Sequence, residues 1–293
     1  MSVVSGKVIF CEGKESSLDF RLLNKIFENS SENELTIVPA GSKFNFSTFA
    51  RGYFSEKNAG SPKFLVFRDR DFDAEPPESV RLIEQVNKQG KLLAYMTHRT
   101  CVENYLLDAE LIHQYWGVKY EEKEENPNSK WGHGNSPGIE AIAQWIETSA
   151  RKLREYQAVR WALGDLVRLS AARKQLTTTW TGSSGNLPSS LTLPDCKTEA
   201  KSLISQFSQA VAEVTQEKFE ESLGKYRDKF KRKEFWEKKE YFIWFQGKDL
   251  QKMMQNQNNS YISLKNYFDW AIPKVDIEKH DDLKELLAKI EEL

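Results

Sequence analysis

Cysteine and histidine are scarce in this chain, at three and four among 293 residues. Cys11, Cys101 and Cys196 form no CxxC pair and no even framework, so neither a disulfide scaffold nor a structural zinc site is expected, and a reducing compartment is. The histidines lie apart, which again leaves zinc without a ligand set. Long apolar runs are missing too: nothing approaches about 18 uninterrupted apolar residues, and the first residues, Met-Ser-Val-Val-Ser-Gly-Lys, lack a basic segment followed by an apolar one. Neither a membrane span nor a signal peptide is expected, and the chain reads as a soluble cytoplasmic protein. No sign of charge dominates. Lys and Arg number 42 against 43 Asp and Glu, a formal net charge of −1. This excludes a surface given over wholly to nucleic acid, while leaving room for a local basic patch offset by an acidic site.

What is present centres on Lys63-Phe-Leu-Val-Phe-Arg-Asp-Arg-Asp-Phe-Asp73. Phe64 to Phe67 reads as a buried strand of a parallel sheet. It runs directly into Asp69, Asp71 and Asp73. In an open α/β sheet ligands collect beyond the carboxyl ends of the strands. If the backbone stays extended, Asp69 and Asp71 point the same way. Two carboxylates aimed at one point repel unless a proton or a cation lies between them, and for oxygen ligands the cation expected is Mg²⁺ or Mn²⁺. Asp73 reads as a surface or capping acid.

The flanking pattern repeats strand and helix about four times. Val8-Ile-Phe-Cys11 is a strand stopped by Glu12-Gly13, and a helix capped by Ser16 or Ser17 follows, with Leu18, Leu22, Leu23, Ile26 and Phe27 at helical spacing. Leu35-Thr-Ile-Val38 is the second strand. Residues 46–57 form a second helix and 78–89 a third, ended by Gly90, before the strand Leu92-Leu-Ala-Tyr-Met96. This is the order of a parallel α/β sheet. A helix over 109–116 follows, then a polar, Gly/Pro-punctuated loop or junction over 119–138. The expected division is a domain at 1–118, that junction, and a mostly helical domain at 139–293. Within the latter, 139–170 and 197–245 are helical, 177–194 is an irregular loop, and 280–293 closes the chain as a helix. Phe242-Ile-Trp-Phe245 is short enough to be a further strand. The run Lys225 to Lys233 is a solvated helix face or a phosphate-contacting patch. Gly182-Ser-Ser-Gly185 lacks the Gly-Lys-Ser/Thr of a phosphate loop.

Glu12 after the first strand, Asp69 and Asp71 after the third, and Glu103 after the fourth would converge on one edge of a parallel sheet. In this order, Phe10-Cys-Glu-Gly13 and Phe67-Arg-Asp-Arg-Asp71 resemble the TOPRIM domain, the metal-binding module of topoisomerases, primases and several nucleases. Val102-Glu-Asn-Tyr-Leu-Leu107 narrows the likeness to the OLD-nuclease-like branch and the related DUF4435 proteins, and Phe245-Gln-Gly-Lys-Asp249 fits the latter. The motifs cover roughly residues 7–113 plus that late element. The whole-chain plan, including Tyr156-Gln-Ala-Val-Arg-Trp-Ala-Leu163, is most similar to the TOPRIM effector of the PARIS anti-phage system.

The resemblance implies a TOPRIM (Rossmann-like) sheet with flanking helices and a helical remainder that contributes the Gly-Lys-Asp element at 247–249. It implies a metal-dependent endonuclease, one or two Mg²⁺ (or Mn²⁺) ions, and Glu12, Asp69, Asp71 and Glu103 as metal ligands and catalytic groups. Lys248 corresponds to the late basic residue that stabilises charge on the scissile phosphate. Arg99 and Arg70 are further candidates to neutralise the phosphate, although Arg70 points away from Asp69 and Asp71 if the strand stays extended. The branch usually carries an acid four residues after the first glutamate; Ser16 stands there, with Glu15 beside it. The resemblance further implies a toxic effector that cuts host RNA, tRNA above all, held inactive by an ABC-type ATPase partner and acting as a homodimer on release. A DNA-nicking nuclease of the OLD type is the alternative within enzymes. The alternative outside them is a regulatory module whose acids hold a structural metal.

Overall fold

The structure, a computed structural model, describes residues 7–28, 35–41, 46, 64–87, 89–129, 133–169, 189–190, 192–212, 214–257 and 262–293. All but Phe46 of the expected helix at 46–57, and most of the loop at 177–194, lie outside these. Five strands make one sheet: β1 (Lys7–Cys11), β2 (Leu35–Pro39), β3 (Phe64–Arg68), β4 (Ile83–Val86) and β5 (Leu92–Met96), in the order β2-β1-β3-β5-β4. Four of them run parallel, with Phe10 opposite both Val38 and Val66, and Phe67 opposite Tyr95. The fold is an α/β, Rossmann-like one. Val8, Phe10, Val38, Val66 and Ala94 form one buried face. Alternation along a strand sends Ile9, also fully buried, to the other. Burial on both faces is why these strands read as unbroken apolar runs.

β1 lies between β2 and β3, so the chain reverses direction across the sheet there. That makes the ends of β1 and β3 a topological switch point, where the parallel sheet opens a crevice. Helix α1 (Leu18–Phe27) begins beside it. Ser17 is its N-cap, its hydroxyl accepting from Phe20 N, and Leu22, Leu23 and Ile26 face the core. Each such buried leucine or isoleucine contributes about 1.5–3 kcal/mol.

The expected helix at 78–89 is instead the antiparallel edge strand β4. Its spacing suggests a helix, but Val80 and Val86 are exposed, so the apolar face such a helix would bury is not buried. Asn87 and Gly90 close a hairpin: Asn87 Oδ1 accepts from Gln89 N and Lys91 N, and Gly90 takes a φ of 76°.

After β5 come α2 (Glu103–Leu106) and α3 (Ala109–Glu125), the latter capped by Asp108. α3 outruns the expected 109–116, and the polar stretch begins at Asn126 rather than 119. The Glu/Lys residues after Lys119 favour helix, and Lys119 pairs with Glu122 at 2.7 Å. α4 (Ile139–Leu169) is one continuous helix. α5 (Leu193–Val211), α6 (Gln216–Lys231), α7 (Lys233–Glu237), α8 (Tyr241–Trp244), α9 (Gly247–Gln257), α10 (Leu264–Ala271) and α11 (Asp281–Glu291) complete the order. The aromatic run at 242–245 is thus helical, not a strand.

The chain separates into two compact units. One comprises Met1–Asp71, Glu75–Leu153 and Trp236–Leu293; the other Phe72–Ala74 and Arg154–Phe235. The last stretch of chain therefore belongs with the sheet, not with a separate helical domain beginning at 139. Its anchor is Asp282, which is 1 % exposed and accepts from His98 N at 2.9 Å and from the Tyr105 hydroxyl. In the second unit Trp161 is fully buried against Phe72 and Tyr226, and Asp165 accepts from Tyr226, Ser222 and Arg168. On α6 Tyr226 and Phe230 are buried while Lys225 and Arg227 are exposed, an arrangement that both a solvated face and a phosphate-contacting patch would show. No described helix is long and apolar enough to cross a membrane.

Candidate metal centre

The ends of β1 and β3, the start of α1, the segment before α2 and the start of α9 meet in the sheet-bearing unit. Asp69 directly follows β3 and is 4 % exposed. Its Oδ1 accepts from Val102 N at 2.9 Å, and its Oδ2 lies 3.8 Å from Lys248 Nζ. Glu103 opens α2, 7 % exposed, with Oε1 3.7 Å from the same ammonium. Ligand atoms of Asp69, Cys101 and Glu103 all lie within 4.8 Å of one another, the one such group among the described residues.

Asp71 departs from the extended geometry its spacing suggested. β3 ends at Arg68, and Asp71 adopts a φ of 51°, with its N–H donating to Thr100 O at 2.8 Å. Its carboxylate accepts from Gln246 Nε2 at 2.9 Å, which places it beside the close group rather than within it. Glu12 likewise borders the group, its charge reaching Asp19 and Cys11. Asp73 belongs with the second unit.

A carboxylate absent from the sequence reading completes the set. Ser16 and Glu15 are exposed, and Asp19 in the first turn of α1 stands in their place. Burial, then the Glu103 charge, pushes the Asp19 carboxyl up to about 7. Burial, then the charges of Asp19, Glu103 and Asp71, holds Asp69 well above the usual carboxylate range. Asp19 Oδ1 and Glu103 Oε2 are buried and accept no hydrogen bond from any described residue. Buried acceptors normally find a donor, so a cluster that leaves two of them bare suits a cation. The oxygen donors fit a hard divalent ion.

Lys248 is the one expected residue that arrives from far along the chain, and the reason is local. Asn104 Oδ1 accepts from Cys101 N and Gly247 N at 3.2 and 3.0 Å, while its Nδ2 donates to Phe245 O at 2.9 Å. Thr100 Oγ1 donates to Ile243 O and Phe245 O. These bonds seat the start of α9 on α2. A Cβ at Gly247 would come within 2.8 Å of Asn104 N, so only glycine allows the approach. The positive end of the α9 dipole then faces the acids. Burial opposes the Lys248 charge, but Glu103 and Asp69 outweigh it and hold its pKa raised.

Arg70 is fully buried and donates to His98 O and Ile243 O, so it braces the fold. Arg99, expected at the substrate, is used similarly: it donates to Asn104 O at 2.6 Å and packs 4.9 Å from the Tyr105 ring centre. Burial lowers its pKa, and Tyr105, Asp282 and Asp108 supply the charges around it, none of them in the carboxylate group.

Asp19, Cys101, Asn104 and Gln246 are the residues of the candidate site that the sequence did not point to. Only Asp19 carried a signal, as the acid in the first turn of the helix that follows Glu12. No protein-family model matches the chain, and no curated protein matches it.

Proposed function

We propose that the chain is a divalent-metal-dependent phosphodiesterase, an endonuclease of the TOPRIM kind. The observation that carries this is the carboxylate set Asp19, Asp69 and Glu103 at the switch point of a parallel sheet, with Asp19 and Asp69 held well above the usual carboxylate range and Lys248 beside Asp69 and Glu103. Asp19, Asp69 and Glu103 would hold Mg²⁺ or Mn²⁺, with Glu12 and Asp71 at the margin. When bound, such ions supply Lewis-acid charge at the phosphate and an activated water.

The chain's own residues do the rest. Lys248, 56 % exposed at its side chain and held without a short hydrogen bond to either carboxylate, is placed to neutralise charge on a phosphate oxygen. Val102 N fixes one Asp69 oxygen so that the other faces the site. Gln246 does the same for Asp71. Resemblance to the PARIS effector supports the finer reading: a toxic effector against phage, cutting host tRNA after release from an ABC-type ATPase.

The test pairs purified protein with total tRNA and with supercoiled plasmid, in Mg²⁺, Mn²⁺ or EDTA. Cleavage should require the metal and vanish in Asp69→Asn and Lys248→Ala. Discrete tRNA fragments support the effector reading, and plasmid nicking with intact tRNA moves the assignment to an OLD-type DNA nuclease. Induced expression with the ATPase and a phage trigger, wild type against Glu12→Ala, is the cellular arm. Growth arrest that survives the substitution removes the carboxylates from the mechanism.

A further inference from the structure

Cys101 sits where a hard-metal site has no use for sulfur. It is fully buried between Asp69 and Glu103, and its Sγ is one of three ligand atoms within 4.8 Å of each other. Mg²⁺ prefers oxygen at near-octahedral geometry and keeps several waters, so it would leave the thiol aside. A borderline-soft ion would not. Two carboxylate oxygens, one sulfur and an open fourth position make a tetrahedral set of the kind zinc takes in open sites.

We propose that Asp69, Cys101 and Glu103 form a thiophilic metal site, selective for Zn²⁺ or Cd²⁺, whose occupancy excludes the Mg²⁺ or Mn²⁺ of the same carboxylates and so switches the centre off. This deepens the metal-site reading above and rests on it.

A second observation points to a ligand here independently of the cysteine. Glu103 is 7 % exposed, and its Oε2 accepts nothing from the described residues. Burial, then the Glu103 and Asp69 charges, pushes the Cys101 thiol up, so it stays protonated until a cation offsets those charges. The thiol donates to Asn104 Oδ1 at 3.1 Å and its sulfur receives Gly247 N–H at 3.3 Å. On metal binding the S–H bond breaks, a Zn–S bond forms and the proton passes to solvent. Asn104 Oδ1 keeps Cys101 N and Gly247 N as donors, so nothing is orphaned by the exchange. Gly247 N–H and the start of α9 then face an anionic sulfur, which favours it. Zn–S near 2.3 Å and Zn–O near 2.0–2.2 Å ask the three atoms to draw in by roughly an ångström, a side-chain movement. Lys248, at 3.7–3.8 Å from both carboxylates and half exposed, can withdraw as the ion arrives.

The experiment is a Co²⁺ and Zn²⁺ titration of the full chain in a Cys196→Ser background, with Mn²⁺ binding followed by equilibrium dialysis. Wild-type Cys101 should give a sulfur-to-cobalt charge-transfer band, absent from Cys101→Ser and from Cys101→Ala. Both variants should still bind Mn²⁺, which also reports that they fold. Zn²⁺ should displace Mn²⁺ from the parent, and its affinity should fall by more than about 100-fold in the variants, beyond the loss typical of outer-shell changes. Mn²⁺ binding with no charge-transfer band from Co²⁺ overturns this proposal and leaves the hard-metal reading standing. A band that persists in both variants overturns it as well, placing the sulfur ligand elsewhere. Failure of the parent to bind either ion overturns both readings.

Discussion

Replacing Asp19 by asparagine should stabilise the metal-free protein. The Asp19 carboxyl lies at about 7 in the fold, raised by burial and then by Glu103, against about 3.9 in an unfolded chain. The folded state therefore holds an extra proton between those values. Stability falls as pH rises through that window and levels off above it. About three pH units at 1.36 kcal/mol each give a cost on the order of 4 kcal/mol near pH 8, an upper bound because the Asp19 and Asp69 charges act on each other. Asp19→Asn removes that cost. At a chain of this length it corresponds to a melting temperature higher by about 5–10 °C near pH 8, shrinking to nothing near pH 4.

Two histidines act in the opposite sense. Burial lowers His98 and His280 to about 4, so stability present above 6.5 is lost as pH falls toward 4. They are common to both proteins and cancel in the difference. Thermal melting of wild type and variant across this range, in EDTA, is the assay. Adding Mg²⁺ or Mn²⁺ at 100 times its dissociation constant should restore about 2.7 kcal/mol to the wild type and far less to the variant. A variant no more stable than wild type near pH 8, or a gap equally large near pH 4, would refute the argument that Asp19 is a carboxylate awaiting a cation.

Asp69→Ala and Asp69→Asn should separate charge from hydrogen bonding. Alanine leaves the buried Val102 N–H without its acceptor, costing about 1–3 kcal/mol in urea unfolding, whereas asparagine retains an acceptor and should match or exceed wild type without metal. Gly247→Ala drives a Cβ to 2.8 Å from Asn104 N and 2.9 Å from Glu103 Cβ, so α9 must shift. The melt should show a loss of about 1–3 kcal/mol, and metal-dependent cleavage should fall as Lys248 moves. In the second unit, Gly164→Ala sets two effects against each other. Helix propensity favours alanine by about 1 kcal/mol, but its Cβ would lie 2.9 Å from Phe72 Cβ and 3.1 Å from Phe72 O. Overpacking of about 1–3 kcal/mol wins, and the variant should melt lower.

The parallel strands were legible because burial on both faces leaves continuous apolar runs, and Val8 to Cys11 and Phe64 to Phe67 are such runs. An edge strand has no such mark. β4 keeps only Leu82 nearby in the core and exposes Val86, and its apolar spacing passes for a helix face until the hairpin at Asn87 and Gly90 is seen. The acids that directly follow strands were legible for the same reason as the strands. Glu12 and Asp69 follow the ends of two neighbouring parallel strands, β1 and β3, so both leave the sheet at the same edge.

The rest of the site is set by contacts that sequence spacing does not encode. Asp71 depends on a left-handed backbone turn, not on strand alternation, so its role rests on Gln246, 175 residues away. Cys101 reads as an apolar filler because nothing nearby in sequence marks it as a ligand. Asn104 explains why Lys248 reaches the acids at all: one side chain satisfies Cys101 N, Gly247 N and Phe245 O together, tying α2 to α9. A site assembled this way couples its carboxylates to the docking of Trp236–Leu293. Loosening that stretch would withdraw Lys248 and leave Asp69, Asp19 and Glu103 to their mutual repulsion. The bare carboxylates are therefore a load on the fold that a bound cation would relieve.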